Sequence, residues 1–153
     1  MSIEKARAHL KKYGLEERIQ EFTVSSATVA LAAEALGCEP ARIAKSLSFE
    51  SRESAILVIA AGDARIDNAK FKQRFGMKAK MLSADKVEPL IGHGVGGVCP
   101  FGVNEGIDVY LDESMKRFET VYPAAGTPSS AVHLTLDELE RASEAVCWVS
   151  VCK

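Results

Sequence analysis

The stretch Ile43-Ala44-Lys45-Ser46-Leu47-Ser48-Phe49-Glu50, followed after Ser51-Arg52-Glu53 by Ser54-Ala55-Ile56-Leu57-Val58-Ile59-Ala60-Ala61, decides the fold. Its first half alternates in character, as a strand with two unlike faces does. Ile43, Lys45, Leu47 and Phe49 share one face, and Ala44, Ser46, Ser48 and Glu50 share the other. Its second half, residues 54–61, is a nearly continuous apolar strand. The polar residues 50–53 between them read as a turn, so the two strands form a hairpin.

Elements of both kinds flank this hairpin. Upstream, residues 2–13 carry Ile3, Ala6 and Leu10 on one helical stripe and stop at Gly14. Residues 20–24 read as a short strand. Ser26 is placed to cap a helix through Leu36, which Gly37 ends in a left-handed conformation. Downstream, Asp67 or Asn68 caps a helix to Phe75, with Gly76 as its stop. Residues 78–82 read as a short strand, and Ser83 caps a short helix to about Leu90. A glycine-rich loop then leads to a strand at 107–111, with further strands at 120–123 and 131–134. Thr135-x-x-Glu138 is a capping box for a helix to about Ala142, and residues 146–151 form a last strand. The predicted fold class is α/β of the mixed α+β kind, with a central mixed, partly closed barrel-like sheet of about seven strands flanked by helices. Hairpin spacings beside helical crossovers argue against a regular parallel array.

The chain of 153 residues is long enough for one domain with a substantial core, spanning 1–153, and no linker or repeat divides it. No apolar run approaches the roughly 20 residues of a membrane helix, and residues 1–5 lead into a polar helix with no signal-peptide core. A cytoplasmic protein with no membrane partner is expected. Cys38, Cys99, Cys147 and Cys152 form no Cys-x-x-Cys pair, and His9, His93 and His133 stand apart. No metal and no cofactor is therefore predicted, and reduced thiols fit a cytosolic compartment.

The formal net charge of −2 excludes a general nucleic-acid coat, but the charge is unevenly spread. Residues 65–86 hold seven basic side chains against Asp67 and Asp85, whereas residues 105–144 hold nine acids against Lys116, Arg117 and Arg141. The basic segment, with Lys70, Lys72, Arg74 and Lys78, is either a solvated helix face or a local contact for phosphates.

Four features are candidates for chemistry. Gly92-His93-Gly94-Val95-Gly96-Gly97 matches G-x-G-x-x-G, with Asp112 about 20 residues on. A dinucleotide site needs a strand before such glycines and a helix opening on them, and Pro89, Pro100 and Gly102 oppose that. Cys99 is a candidate nucleophile, with His93 or His133 as a distant base, but Phe101 stands where a nucleophile elbow requires glycine; a small packed thiol is the plainer role. Lys45 is the one charge among the apolar positions of its strand face. Either its stem follows the core and its ammonium snorkels out, or it faces a cavity for an anionic or electron-rich ligand. Residues 94–102 contain four glycines and Pro100. They suit either a tight structural turn or close backbone approach to a ligand at Gly96 and Gly97.

Taken together, these residues resemble the YbaK/EbsC family of editing domains, related to the insertion domain of bacterial prolyl-tRNA synthetase. The likeness rests on Ala44-Lys45-Ser46-Leu47-Ser48-Phe49, on Gly96-Gly97-Val98-Cys99-Pro100-Phe101-Gly102 and on Val109-Tyr110-Leu111-Asp112. It rests also on the closing segment 125–139, and it runs from about residue 17 onward. The resemblance implies a trans-editing deacylase that hydrolyses the ester of mischarged aminoacyl-tRNA, with a small amino acid such as Ala, Cys, Ser or Thr. It implies that Lys45 is the essential strand lysine and that Gly96, Gly97 and Pro100 belong to the G-x-x-x-P loop that holds the substrate carbonyl. It implies substrate contacts from Ser46, Val98, Cys99, Gly102, Ser130 and His133. Aminoacyl-tRNA is the expected partner, with a synthetase such as prolyl-tRNA synthetase as a second. Where the YbaK subgroup carries two lysines after the loop, this chain has Val103-Asn104-Glu105, which points away from cysteinyl-tRNA and toward an EbsC-like relative. Two other readings remain at this stage: a non-catalytic module that binds tRNA or a synthetase, and a small-molecule hydrolase dependent on Cys99.

Overall fold

The computed structural model describes residues 2–23 and 28–153. The hairpin is its centre. Strand β2 (Ile43–Glu50) pairs antiparallel with β3 (Ala55–Ala61) over seven residue pairs, from Ala44 against Ala61 to Glu50 against Ala55. Every residue of β3 is buried, as expected of a strand with sheet neighbours on both edges and covered faces. On its far side β3 pairs parallel with β4 (Asp108–Asp112), and β4 pairs parallel with β8 (Cys147–Val149). On the near side the start of β2 pairs parallel with β5 (Thr120–Pro123), which pairs antiparallel with β7 (Leu134–Thr135). The result is a curled six-stranded mixed sheet flanked by helices. A separate two-stranded sheet joins β1 (Ile19–Glu21) to β6 (Ser130–Val132).

Several helix ends carry the capping residues the sequence places there. Helix α1 (Ser2–Lys11) buries Ala6 and Leu10, and α2 (Val29–Leu36) ends on Gly37 at φ 68°. The expected cap Ser26 lies outside the described residues; the Thr28 side chain accepts from Leu31 N at 3.1 Å and fills that role. Helix α3 (Asn68–Phe75) is capped by the Asp67 carboxylate, which accepts from Ala69 N and Lys70 N. Its Phe71 is fully buried between Phe49 and Phe75, each with ring centroids 4.7 Å away. Helix α4 (Ala84–Ile91) follows Ser83, whose side chain makes no capping hydrogen bond although the sequence placed it as a cap, and ends at Gly92; α5 (Leu136–Ser143) opens with the Thr135–Glu138 capping box.

Three predicted strands differ from expectation. The run 131–134 is two strands: β6 pairs with β1, β7 pairs with β5, and His133 sits at the break. Residues 78–82 form only a bridge, Met81 to Phe49, with Glu50 N donating to Lys80 O and Leu82 N to Ser48 O. They cover the edge of β2 beyond the point where β5 leaves it. The last strand stops at Val149, after which Val151 N turns to the Asp112 carboxylate at 2.9 Å and Cys152 bridges Ile66. Among the described residues no helix is long and apolar enough to cross a membrane.

Candidate active site

A cavity of about 330 Å³ opens where β2, α2, α4, the glycine-rich loop and the β5–β6 connection meet. Strand β2 supplies its floor: Ile43, Ala44, Lys45, Ser46 and Ser48 line it, whereas Leu47 and Phe49 do not. Val29 and Ala32 of α2 form one wall. Leu82, Ala84 and Val87 form another, and Tyr122, Ala124, Ser130 and Ala131 close the far side. Val95, Gly96 and Val98 come from the loop. At the mouth stand two strongly exposed apolar side chains, Met81 at 56% and Val95 at 63%.

Two hydroxyls differ in state. The Ser46 Oγ is buried and has no hydrogen-bond partner among the described residues, a costly arrangement for a polar atom unless a ligand answers it. The Ser130 Oγ accepts from Thr127 Oγ1 at 2.8 Å and donates to Thr127 O at 3.2 Å, so it belongs to a local turn.

Lys45 lines the cavity, yet its ammonium is held at the turn beyond β3. It donates to Gly62 O at 3.3 Å and to Ala64 O. Burial holds its pKa below the usual lysine value; Cys152 and Asp63 act in the opposite direction, and Arg65 adds to the lowering.

The loop residues divide. Gly96, at φ 89°, and Val98 line the cavity. Gly97 does not: its amide donates to Gly94 O at 3.0 Å, and a Cβ there would lie 2.5 Å from Gly126 O. Glycine is required at 97 by backbone packing. Pro100 lines a second cavity with His9, Asn104 and Glu144. Gly102, at φ 73°, lies against α1, where a Cβ would be 2.7 Å from Lys5 O. Cys99 is fully buried, with Sγ 3.6 Å from both His93 Nε2 and Phe101 O. Burial pushes its thiol up to about 12, which leaves a Cys99-dependent hydrolase without an accessible thiolate. The G-x-G-x-x-G match follows helix α4 and opens no helix, so the dinucleotide geometry is lacking.

His133 lies behind the cavity wall, stacked on Tyr122 with centroids 4.4 Å apart and planes 8° from parallel. The Arg42 guanidinium sits 5.6 Å from the centroid of the same Tyr122 ring. On the basic segment, Lys72 and Lys78 are exposed. Lys70 Nζ donates to Cys152 O, and Arg74 lies over Phe75 and Tyr110. This segment runs directly into Met81 and Leu82 of the cavity wall. Among the described residues no group of three or more His, Cys, Asp or Glu is placed to hold a metal ion.

Residues 23–142 match the model of the aminoacyl-tRNA editing domain. The chain belongs to this family. A protein of the same size, "Uncharacterized protein YwhH" of Bacillus subtilis (strain 168), is 50% identical over 154 residues, covering 100% of this chain and 98% of that one. The proline–tRNA ligase of Bacillus cytotoxicus is 27% identical over 81 residues, which is 52% of this chain and 14% of the ligase. Among solved structures, "a putative trans-editing enzyme for prolyl tRNA synthetase" superposes with a TM-score of 0.89 at 29% identity, covering 99% of this chain and 97% of that one. The family resemblance read from the sequence is thereby borne out, and so is the mixed sheet flanked by helices.

The walls that sequence reasoning missed, Val29, Ala32, Val87, Tyr122, Ala124 and Ala131, come from segments far apart in the chain. Small apolar residues in helices and strands carry no local mark of facing a cavity rather than the core.

Proposed function

We propose that this editing domain acts in trans as a deacylase, hydrolysing the ester that joins a small amino acid such as Ala, Cys, Ser or Thr to the terminal adenosine of a mischarged tRNA. The observation that carries the reading is the cavity. Its floor presents the Ser46 hydroxyl, unpartnered among the described residues, Val95, Gly96 and Val98 of the loop form its roof, and its rim continues into the basic segment.

Ester hydrolysis requires an attacking water and stabilisation of the carbonyl oxygen as charge develops. Backbone amides at Gly96 and Val98 serve that oxygen; the Gly97 amide is engaged in the turn. Lys45 anchors a phosphate or ribose oxygen of the terminal adenosine and so places the ester against the loop. The free 2′-hydroxyl of that adenosine positions the water. Lys70, Lys72, Arg74 and Lys78 meet the acceptor stem through phosphate contacts. Selection by cavity size discriminates by only about 1–3 kcal/mol per methylene, so neighbouring amino acids overlap as substrates.

The experiment times ester loss from tRNA charged with alanine, cysteine, serine or threonine, with intact protein and with Lys45→Ala. Faster loss for at least one, abolished by Lys45→Ala, supports the reading. No acceleration for any, together with salt-sensitive tRNA binding, identifies a non-catalytic binding module instead.

A further inference from the structure

The turn that receives the Lys45 ammonium is itself held by an ion pair. Between the two acceptor residues, Gly62 and Ala64, lies Asp63, whose carboxylate takes both arms of the Arg117 guanidinium. Nη1 donates to Oδ2 at 3.0 Å and Nη2 to Oδ1. Arg117 is aimed by its own Nε, which donates to Ser114 O at 2.9 Å. Ser114 in turn receives Ala61 N on its hydroxyl at 3.1 Å and donates its amide to Asp112 at 2.9 Å. On the other side Gly62 is wedged against residue 40, where a Cβ would lie 2.0 Å from Pro40 O, and Gly62 N donates to Ala41 O.

The side chains of Asp63 and Arg117 are each about half-exposed. A pair so placed contributes little to stability, so stability alone does not account for a two-armed contact at this turn. A carboxylate next to the carbonyls that hold a lysine does have a local effect: it favours the charged ammonium and shares its own charge between two cations.

We propose that Asp63 and Arg117 are positioning residues for Lys45, with Arg117 fixing the Gly62–Asp63–Ala64 turn and moderating the pull of Asp63 on the ammonium. The functional weight of this rests on the reading of Lys45 as the substrate anchor. The charged and titratable groups around Lys45 are Asp63 and Arg65 on the turn side and Cys152 on the C-terminal side. Burial pushes the Cys152 thiol up to about 12, so its pull on Lys45 acts only once the thiolate forms, whereas the Arg117 hydrogen bond holds the Asp63 carboxyl below the usual carboxylate range.

The test follows the Lys45 side-chain amine by NMR during a pH titration of the full chain, in the unmodified protein and in Asp63→Asn, Arg117→Ala and Arg117→Lys. Asp63→Asn keeps an acceptor for Arg117 but loses the charge, so the Lys45 midpoint moves down. Arg117→Ala leaves Asp63 unopposed, so the midpoint moves up, and Arg117→Lys returns it toward the unmodified value. Opposite shifts with thermal unfolding little changed support the proposal. Unchanged midpoints, or shifts in the same direction in Asp63→Asn and Arg117→Ala, overturn it. The Lys45 titration exists whether or not the chain deacylates tRNA, so failure here and failure of the charged-tRNA assay are read separately.

Discussion

Gly97 and Gly126 meet backbone to backbone, with no room for a side chain: a Cβ on Gly97 would lie 2.5 Å from Gly126 O and 2.7 Å from Thr127 Cα. The contact joins two cavity walls, since Gly96 and Val98 flank one partner and Ala124 and Ser130 lie on either side of the other. Gly97→Ala is expected to cost about 1–3 kcal/mol, the range for forced overpacking, and to slow deacylation by displacing the loop. Gly94→Ala is the control, because a Cβ there meets only the Glu88 carboxylate at 3.9 Å; its effect stays within about 0.5 kcal/mol. Urea midpoints of the two variants check both.

Ser46→Ala separates folding from function. Its hydroxyl is buried without a partner among the described residues, so removing it relieves an unmet polar group, worth up to about 1 kcal/mol. The variant should be as stable as the parent or slightly more so, while KM for charged tRNA rises. A clear loss of stability would show that the hydroxyl is satisfied within the fold.

Acid should weaken the fold through His93. Its Nε2 donates to Phe101 O at 2.6 Å while its Nδ1 is buried without a partner among the described residues, and burial lowers its pKa. The unfolded chain binds a proton near histidine's usual value of about 6.5, whereas the folded chain resists it. Stability is therefore intact above that pH and declines as pH falls through it, by up to about 1.4 kcal/mol per pH unit. His133, lowered by burial and then by Arg42 and Arg18, acts in the same direction. Denaturant midpoints between pH 7.5 and pH 5, in about half-unit steps around histidine's range, give the slope, and His93→Gln should flatten it.

Thiol labelling should divide the cysteines by burial. Cys38 and Cys147 are partly exposed, whereas Cys99 and Cys152 are buried and their thiols are pushed up to about 12. An alkylating reagent on the native protein should modify the first two and spare the others until denaturant is added. Mass spectrometry of peptides after timed labelling decides it, and rapid native labelling of Cys99 would return it to the list of nucleophiles.

The hairpin at the heart of the sheet was legible because its signals are local: alternation in Ile43–Glu50, an unbroken apolar run to Ala61, and a polar turn between them. The Thr135–Glu138 box and the stops at Gly37 and Gly76 were legible for the same reason. The break at His133 was not. Val132 and Leu134 are both apolar, and nothing in their order says that one pairs with Ile19 and the other with Val121. At the site, Lys45 stood out as the one charge among the apolar positions of its strand face, and Ser46 entered through the family resemblance. The acceptors of the Lys45 ammonium were hidden, because Gly62 and Ala64 offer only backbone carbonyls. The sequence left Gly97 open between a tight turn and a ligand-facing glycine, and only the family resemblance tied Gly102 to substrate; what both face is other backbone.

Five alanines, Ala32, Ala44, Ala84, Ala124 and Ala131, contribute to the cavity from a helix, two strands, a helix start and a connecting loop. Each ends in a single methyl group, so most substitutions at these positions add bulk to the chamber. Because they sit on separate elements, the chamber can be narrowed from several sides independently while the hairpin and the loop stay as they are. The architecture thus lends itself to divergence: lineages that keep one scaffold can come to accept ligands of different size by point changes in the walls, one methylene at a time.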